Sequence, residues 1–232
     1  AYLLTLDSTG NTKDIQIISS SGGDRVDSIS FAQNGDMLVG GSACWLGPSG
    51  CTLSGFGISL PAVNDNGDAW FARIGPGGEA QWSMLIGSEG FDTIHSIAES
   101  PDGSIYVAGT FCQDYNLLCR ITIGDTMHQS KGGADVMIAK LSPQGDVLWS
   151  KTFGSGTSDT DMWNSWYSLS QKGIVATPDG GLIVSGWGCE GGDANCVMTI
   201  ETGYSVSNHN TFILKYSANG TIERLTVMNG DG

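Results

Sequence analysis

Residues 69–79 read AWFARIGPGGE, a short strand of alternating bulk that runs into a glycine-rich turn and then starts a second strand. The same register returns as VMIAKLSPQGD at 136–146, TFILKYSANGT at 211–221 and AYLLTLDSTGN at 1–11, aligned without gaps. The copies begin 68, 67 and 75 residues apart in chain order. Self-similarity at a recurring spacing marks a repeat architecture. A second element keeps step with the first: SISFAQNGDMLVGG at 28–41, SIAESPDGSIYVAG at 96–109 and GIVATPDGGLIVSG at 173–186. Its turn glycines Gly35, Gly103 and Gly180 fall in one place.

Working outward, each unit holds four strand-like segments of the kinds IHSIAE, SIYVAG, AWFARI and QWSMLI. In the third of these, Tyr2, Leu4 and Leu6 correspond to Trp70, Ala72 and Ile74, then to Met137, Ala139 and Leu141, then to Phe212, Leu214 and Tyr216. Thr5, Arg73, Lys140 and Lys215 lie between them, so one face reads apolar and the other partly polar. NG, DG, GPGG and SPQG turns separate short β-rich runs, and no long stretch has helical periodicity, so the chain reads as all-β. Four antiparallel strands make up a propeller blade, which buries both faces only against neighbours. The expectation is a β-propeller of about three and a half blades, part of a larger ring, most simply a fragment of a longer propeller. A half blade spans 1–20, and blades span approximately 26–87, 93–154 and 165–228.

The segments GDAWFARIGPGGEAQWSMLIGSEGFD and ADVMIAKLSPQGDVLWSKTFGSGTSD, each followed by a DG turn and VAG or VSG, resemble a known family. They are similar to the SBBP-type β-propeller repeats of secreted and surface-anchored bacterial proteins, over nearly the whole chain. The resemblance implies a propeller fold, an extracellular location and roles in adhesion or surface assembly, and it supplies no catalytic residues. The long cysteine-bearing loops depart from the family pattern.

Ten basic residues against 24 acidic ones give a formal charge of −14, which repels phosphate backbones and argues against nucleic acid or anionic lipid as a partner. No apolar run is long enough to span a membrane. The opening residues lack a basic leader region and read as the middle of a domain. All six cysteines fall in the repeat, each pair enclosing six residues, and the repeat selects Cys44–Cys51, Cys112–Cys119 and Cys189–Cys196. Zinc sites favour shorter spacings, and His95, His128 and His209 do not recur in register. Disulfides imply an oxidising compartment.

In the usual strand order the minimal turns lie on one side of a propeller, and the cystine-bearing connections of about 24 to 26 residues lie on the other. Loops on a rigid scaffold are where binding residues concentrate. Trp45, Phe111, Tyr115, Trp163, Trp166, Tyr167 and Trp187 are the candidates for stacking on a sugar or anchoring a protein at the cell surface. They serve equally well to pack the long loops. Asp24, Asp27, Glu89, Asp92, Asp159 and Asp161, with the NDNGD stretch at 64–68, are candidates for calcium, although Asp and Gly in such loops also cap backbone amides. No other cofactor is expected. Trp82 and Trp149 repeat in the fourth strand and read as blade packing, whereas His95 is singular and points near the axis. No catalytic motif has a usable context. The primary expectation is a non-enzymatic extracellular module for adhesion or surface assembly, and the alternative is a polysaccharide hydrolase or lyase using axial carboxylates.

Overall fold

The computed structural model describes residues 1–113, 118–156, 169–188, 196–207 and 210–228; the described residues form strands and turns and no helix. A leading hairpin pairs β1 (Tyr2–Leu6) with β2 (Thr12–Ile17). Three four-stranded antiparallel sheets follow. The first holds β3 (Gly23–Phe31), β4 (Met37–Trp45), β7 (Asp68–Ile74) and β8 (Ala80–Ile86). The second holds β9 (Thr93–Glu99), β10 (Ile105–Phe111), β13 (Asp135–Leu141) and β14 (Val147–Phe153). The third holds β15 (Leu169–Ala176), β16 (Leu182–Trp187), β19 (Thr211–Tyr216) and β20 (Ile222–Met228).

Each sheet is a simple meander because its hairpin turns are one turn repeated. In all seven, from Asp7–Asn11 to Ser217–Thr221, the first amide donates to the fifth carbonyl and the fourth residue's amide donates back to the first carbonyl. The fourth residue is always glycine with positive φ, +80° at Gly103 and +89° at Gly35. This is the three-residue hairpin loop closed by a glycine bulge, and only glycine takes its left-handed position without strain.

The connections expected as long loops contain strands of their own. Between the second and third strand of each sheet sits a two-stranded hairpin: β5 (Thr52–Gly55) with β6 (Ile58–Pro61), β11 (Arg120–Ile123) with β12 (Thr126–Gln129), and β17 (Val197–Glu201) with β18 (Tyr204–Ser207). Two of these inserts bridge to the preceding unit through the backbone, Ser19 with Ser54 and Gly154 with Thr199.

The core consists of three inter-sheet layers. Each combines the rear face of one unit, the front face of the next and that next unit's inserted hairpin. Leu3 and Ile18 meet Trp70, Ala72 and Leu53; Phe71 and Trp82 meet Met137, Ala139 and Ile121; Ile138 and Phe153 meet Phe212, Leu214 and Met198. Trp82 and Trp149 fill the second and third layers, each donating its indole N–H to a turn carbonyl of the following sheet, Pro143 at 3.0 Å and Ala218 at 3.1 Å.

The partly polar rear face is not a solvent face in the first two sheets, whose β7 and β13 are buried at every residue. Their cations are buried with partners. Arg73 donates to Asp36 at 2.7 Å and lies 3.7 Å from Glu99 of the next sheet. Lys140 lies 3.6 Å from Asp102 and over the Tyr106 ring at 5.2 Å. A buried cation persists only when paired in this way.

Candidate functional site

The side of the stack opposite the seven turns is built on two identical brackets. Residues 20–24 and 88–92 both run Ser-x-Gly-x-Asp just before or at the start of a sheet's first strand. Asp24 accepts from the Ser20 amide (2.6 Å), the Ser20 hydroxyl (2.7 Å) and the Cys44 amide (3.1 Å). Asp92 accepts from the Ser88 amide and hydroxyl, both at 2.6 Å, and from the Cys112 amide at 3.1 Å. The glycine between them is forced: a Cβ on Gly22 or Gly90 would lie 2.8 Å from the backbone of Cys44 or Cys112. Each bracket therefore grips the cysteine that opens an insertion, and both cysteines leave their strands with φ of +62°.

Cys44 is bonded to Cys51 and Cys112 to Cys119, so each insertion is closed at its root before its hairpin begins. Cys196 is also disulfide-bonded, while Cys189 lies outside the described residues. The two described roots are held side by side. The Trp45 ring meets Phe91 edge-on at 6.1 Å, and Gln113 donates its amide to the Phe91 carbonyl. The Asn64 and Asn66 side chains donate to the carbonyls of Ser88 and Glu89, tying the end of the first insertion to the second bracket.

These contacts fix the roles of several residues singled out in the sequence. Trp45 is 44% exposed at its root. Phe111 is fully buried, because β10 continues to the cysteine and turns this ring into the core, so it offers no face to a ligand. Trp187 is half-buried at the end of β16. Tyr115, Trp163, Trp166, Tyr167, Asp159 and Asp161 lie outside the described residues.

The three described aspartates considered for calcium are spread over separate hydrogen-bonded positions. Asp24 and Asp92 hold the brackets, and Asp27 pairs with Arg25 at 3.2 Å and accepts from Thr93 at 3.0 Å. Glu89 accepts from the Arg120 amide at 2.6 Å, and Asp68 of the NDNGD stretch caps the amides of Val63 and Asn64. Burial pushes the Asp92 carboxyl up to about 8 and the Asp68 carboxyl up to about 6.

Besides Trp45, three apolar residues that composition and spacing did not flag reach solvent on this side. Leu46, Val63 and Leu118 are exposed beside Trp45 and the second root. Val63 also lines a cleft of about 300 Å³ shared with Glu89, Arg120 and Thr122, between the two insertions. The signal was available at Leu46 and Leu118, which lie two residues from Cys44 and next to Cys119, cysteines that anchor disulfides.

A second cleft, of about 570 Å³, lies where β3, β9 and β15 converge, and His95 lines it. Its imidazole is hydrogen-bonded to the Thr110 hydroxyl at 3.1 Å, and burial lowers its pKa. The two acids here are committed to neighbours, Asp27 as above and Glu99 to the Gln33 amide at 2.6 Å.

Fold and site together define an all-β repeat protein with antiparallel four-stranded sheets and disulfide-pinned insertions. No protein-family model matches the chain, and comparison with curated proteins likewise finds no match.

Proposed function

We propose that the sheets are blades of a β-propeller related to the SBBP-type secreted repeats, and that the molecule is a non-enzymatic extracellular binding module for adhesion or surface assembly. It binds a protein or glycan through its disulfide-pinned side. The observation that carries this reading is the pair of braced roots with Trp45, Leu46, Val63 and Leu118 left at the surface. Large apolar groups held rigidly at a surface lose little entropy on binding and are the usual anchors of an interface. Disulfides and a strongly acidic surface suit an oxidising, extracellular setting. The axial cleft favours the hydrolase reading less, since both of its described carboxylates are engaged by partners and a general acid needs a free, positioned carboxyl.

The test is a panel of immobilised glycans and purified surface proteins. Wild-type protein is expected to bind at least one member, and Trp45→Ala is expected to weaken that binding about tenfold or more, with folding unchanged. Binding indifferent to Trp45→Ala and Leu118→Ser, or turnover of a polymeric glycan lost on Glu99→Gln, would overturn the reading.

A further inference from the structure

Each insertion meets the last strand of the unit before it at one repeated place, and among the described residues two of these three meetings are closed by backbone bonds. Ser54, Thr122 and Thr199 each stand three residues after the second cysteine of a pair. Ser19, Gly87 and Gly154 share a place just past the last strand of a unit, 68 and 67 residues apart. Ser19 and Ser54 exchange amide-to-carbonyl bonds, both at 2.9 Å. Thr199 donates its amide to the Gly154 carbonyl at 3.0 Å, and its own carbonyl accepts from the Lys131 ammonium at 2.7 Å. No such bond joins Gly87 to Thr122. The cleft of about 300 Å³ stands there instead, with both residues in its lining.

The second insertion presents usable groups to that gap. β11 and β12 are joined by the two-residue turn 124–125, so Ile123 and Thr126 bond to each other and the Thr122–Met127 pair does not. The Ser130 amide donates to the Cys119 carbonyl, in step with the same alternation. Arg120 and Thr122 therefore aim their amides and carbonyls away from β12. Glu89 takes the Arg120 amide, whereas the Thr122 amide and carbonyl have no protein partner among the described residues. No side chain supplies the missing bond. Lys131, four residues before Asp135, reaches the carbonyl of its insertion; Asn64, four residues before Asp68, donates to Ser88 instead. Val63 and Leu85 form an apolar wall beside the free edge.

We infer that an extended peptide segment of a partner protein adds to the free edge of β11, making at Thr122 the bridge that Ser19 makes at Ser54. On the reading of the disulfide-pinned side as the binding side, on which this assignment rests, the ligand is a protein and not a glycan. A strand edge offers a donor and an acceptor at fixed spacing, and an extended backbone matches them whatever its sequence. Main-chain pairing then supplies affinity, and neighbouring pockets supply preference. Val63 and Leu85 favour an apolar side chain beside the paired residue. Glu89 on the Arg120 amide stops the pairing at one end, so the added segment is short.

A displayed library of random linear peptides, selected on the wild-type protein, supplies the probe. Binders are expected, and a bound peptide is expected to slow hydrogen exchange at the Thr122 amide. Thr122→Pro removes only that outward amide, at a place where an edge strand tolerates proline, and is expected to weaken the selected peptides about tenfold or more. Thr122→Ala keeps the backbone and is expected to bind like wild type. Should Thr122→Pro misfold, exchange in the wild-type protein decides alone. No peptide binder, unchanged exchange at Thr122 under a bound peptide, or full affinity in folded Thr122→Pro would each overturn the proposal. Peptide or glycan binding that falls with Trp45→Ala while Thr122 exchanges freely would sink the strand addition and leave the binding side itself standing.

Discussion

The two sides of this molecule are built on opposite plans. The turn side carries seven copies of one hydrogen-bonded loop, each closed by a left-handed glycine. The insertion side keeps only its foundation, the Ser-x-Gly-x-Asp bracket and the cystine, and lets the hairpins beyond differ in sequence. A surface repeated seven times with minimal loops has little to vary, whereas a braced root that carries different side chains in each unit varies what it presents without disturbing the sheets. Substitutions should therefore separate: on the turn side they change stability alone, and on the insertion side they change stability at the bracket and binding at the exposed residues.

The largest effect is expected at Asp92. Replacing it with Ala strands the buried Ser88 amide and hydroxyl and leaves the Cys112 amide only its 3.2 Å contact with the Ser88 hydroxyl oxygen, and unsatisfied buried donors cost about 1–3 kcal/mol each. Asp92→Ala is expected to lower the unfolding free energy by about 3 kcal/mol in denaturant titration. A loss no larger than that of a surface substitution would break the comparison at its base. Next is the cystine. Cys112→Ala with Cys119→Ala opens an eight-residue loop, a loss of about 2.5 kcal/mol in the chain-entropy model. Ligand affinity should fall with it, because the root then samples more conformations.

The bracket also predicts a pH dependence that the turns do not share. Burial raises the carboxyls of Asp92 and Asp68 to about 8 and about 6. Both hold their protons more tightly folded than unfolded. Their contribution is thus complete below the ordinary carboxylate pKa of about 3.9 and is lost as pH rises through the two folded values. Stability should decline from about pH 4 to pH 8, and Asp92→Asn should flatten the upper part of that decline. An unchanged slope in the Asn variant would assign the dependence elsewhere.

Most of the frame was legible because the chemistry is local. Gly35, Gly103 and Gly180 announce their turns, and paired cysteines at one spacing announce closed loops. The inserted hairpins were missed because strands of four residues show little periodicity. Their tight turns at 56–57, 124–125 and 202–203 were nevertheless readable, each with a positive-φ glycine, in second place at Gly57 and Gly203 and in first place at Gly124. Asp24 and Asp92 read as cation ligands because an acid beside glycine fits calcium and a backbone cap alike. Only the fold brings the distant amides of Cys44 and Cys112 to them. Phe111 read as a loop residue since nothing in sequence shows that β10 runs on to its cysteine. Arg73 and Lys140 read only as the polar members of a partly polar face, because charge alone does not reveal which acids, carbonyls and rings of the following sheet pair with them.

The smallest effect tests the turn side directly. At Gly35 a Cβ would meet nothing within 4 Å, so Gly35→Ala isolates the backbone term from any packing clash. Alanine at φ of +89° is strained, and the expected loss is about 1 kcal/mol, read as a lower denaturation midpoint at constant slope. Gly109 supplies the contrast. A Cβ there would lie 2.0 Å from the Thr93 carbonyl oxygen, so Gly109→Ala should cost well over the Gly35 value. Neither change touches Trp45 or Leu118, and the folded fraction of Gly35→Ala should bind any ligand of the insertion side with wild-type affinity. A ligand lost on Gly35→Ala while the protein stays folded would mean that the turns, and not the braced roots, carry the binding surface.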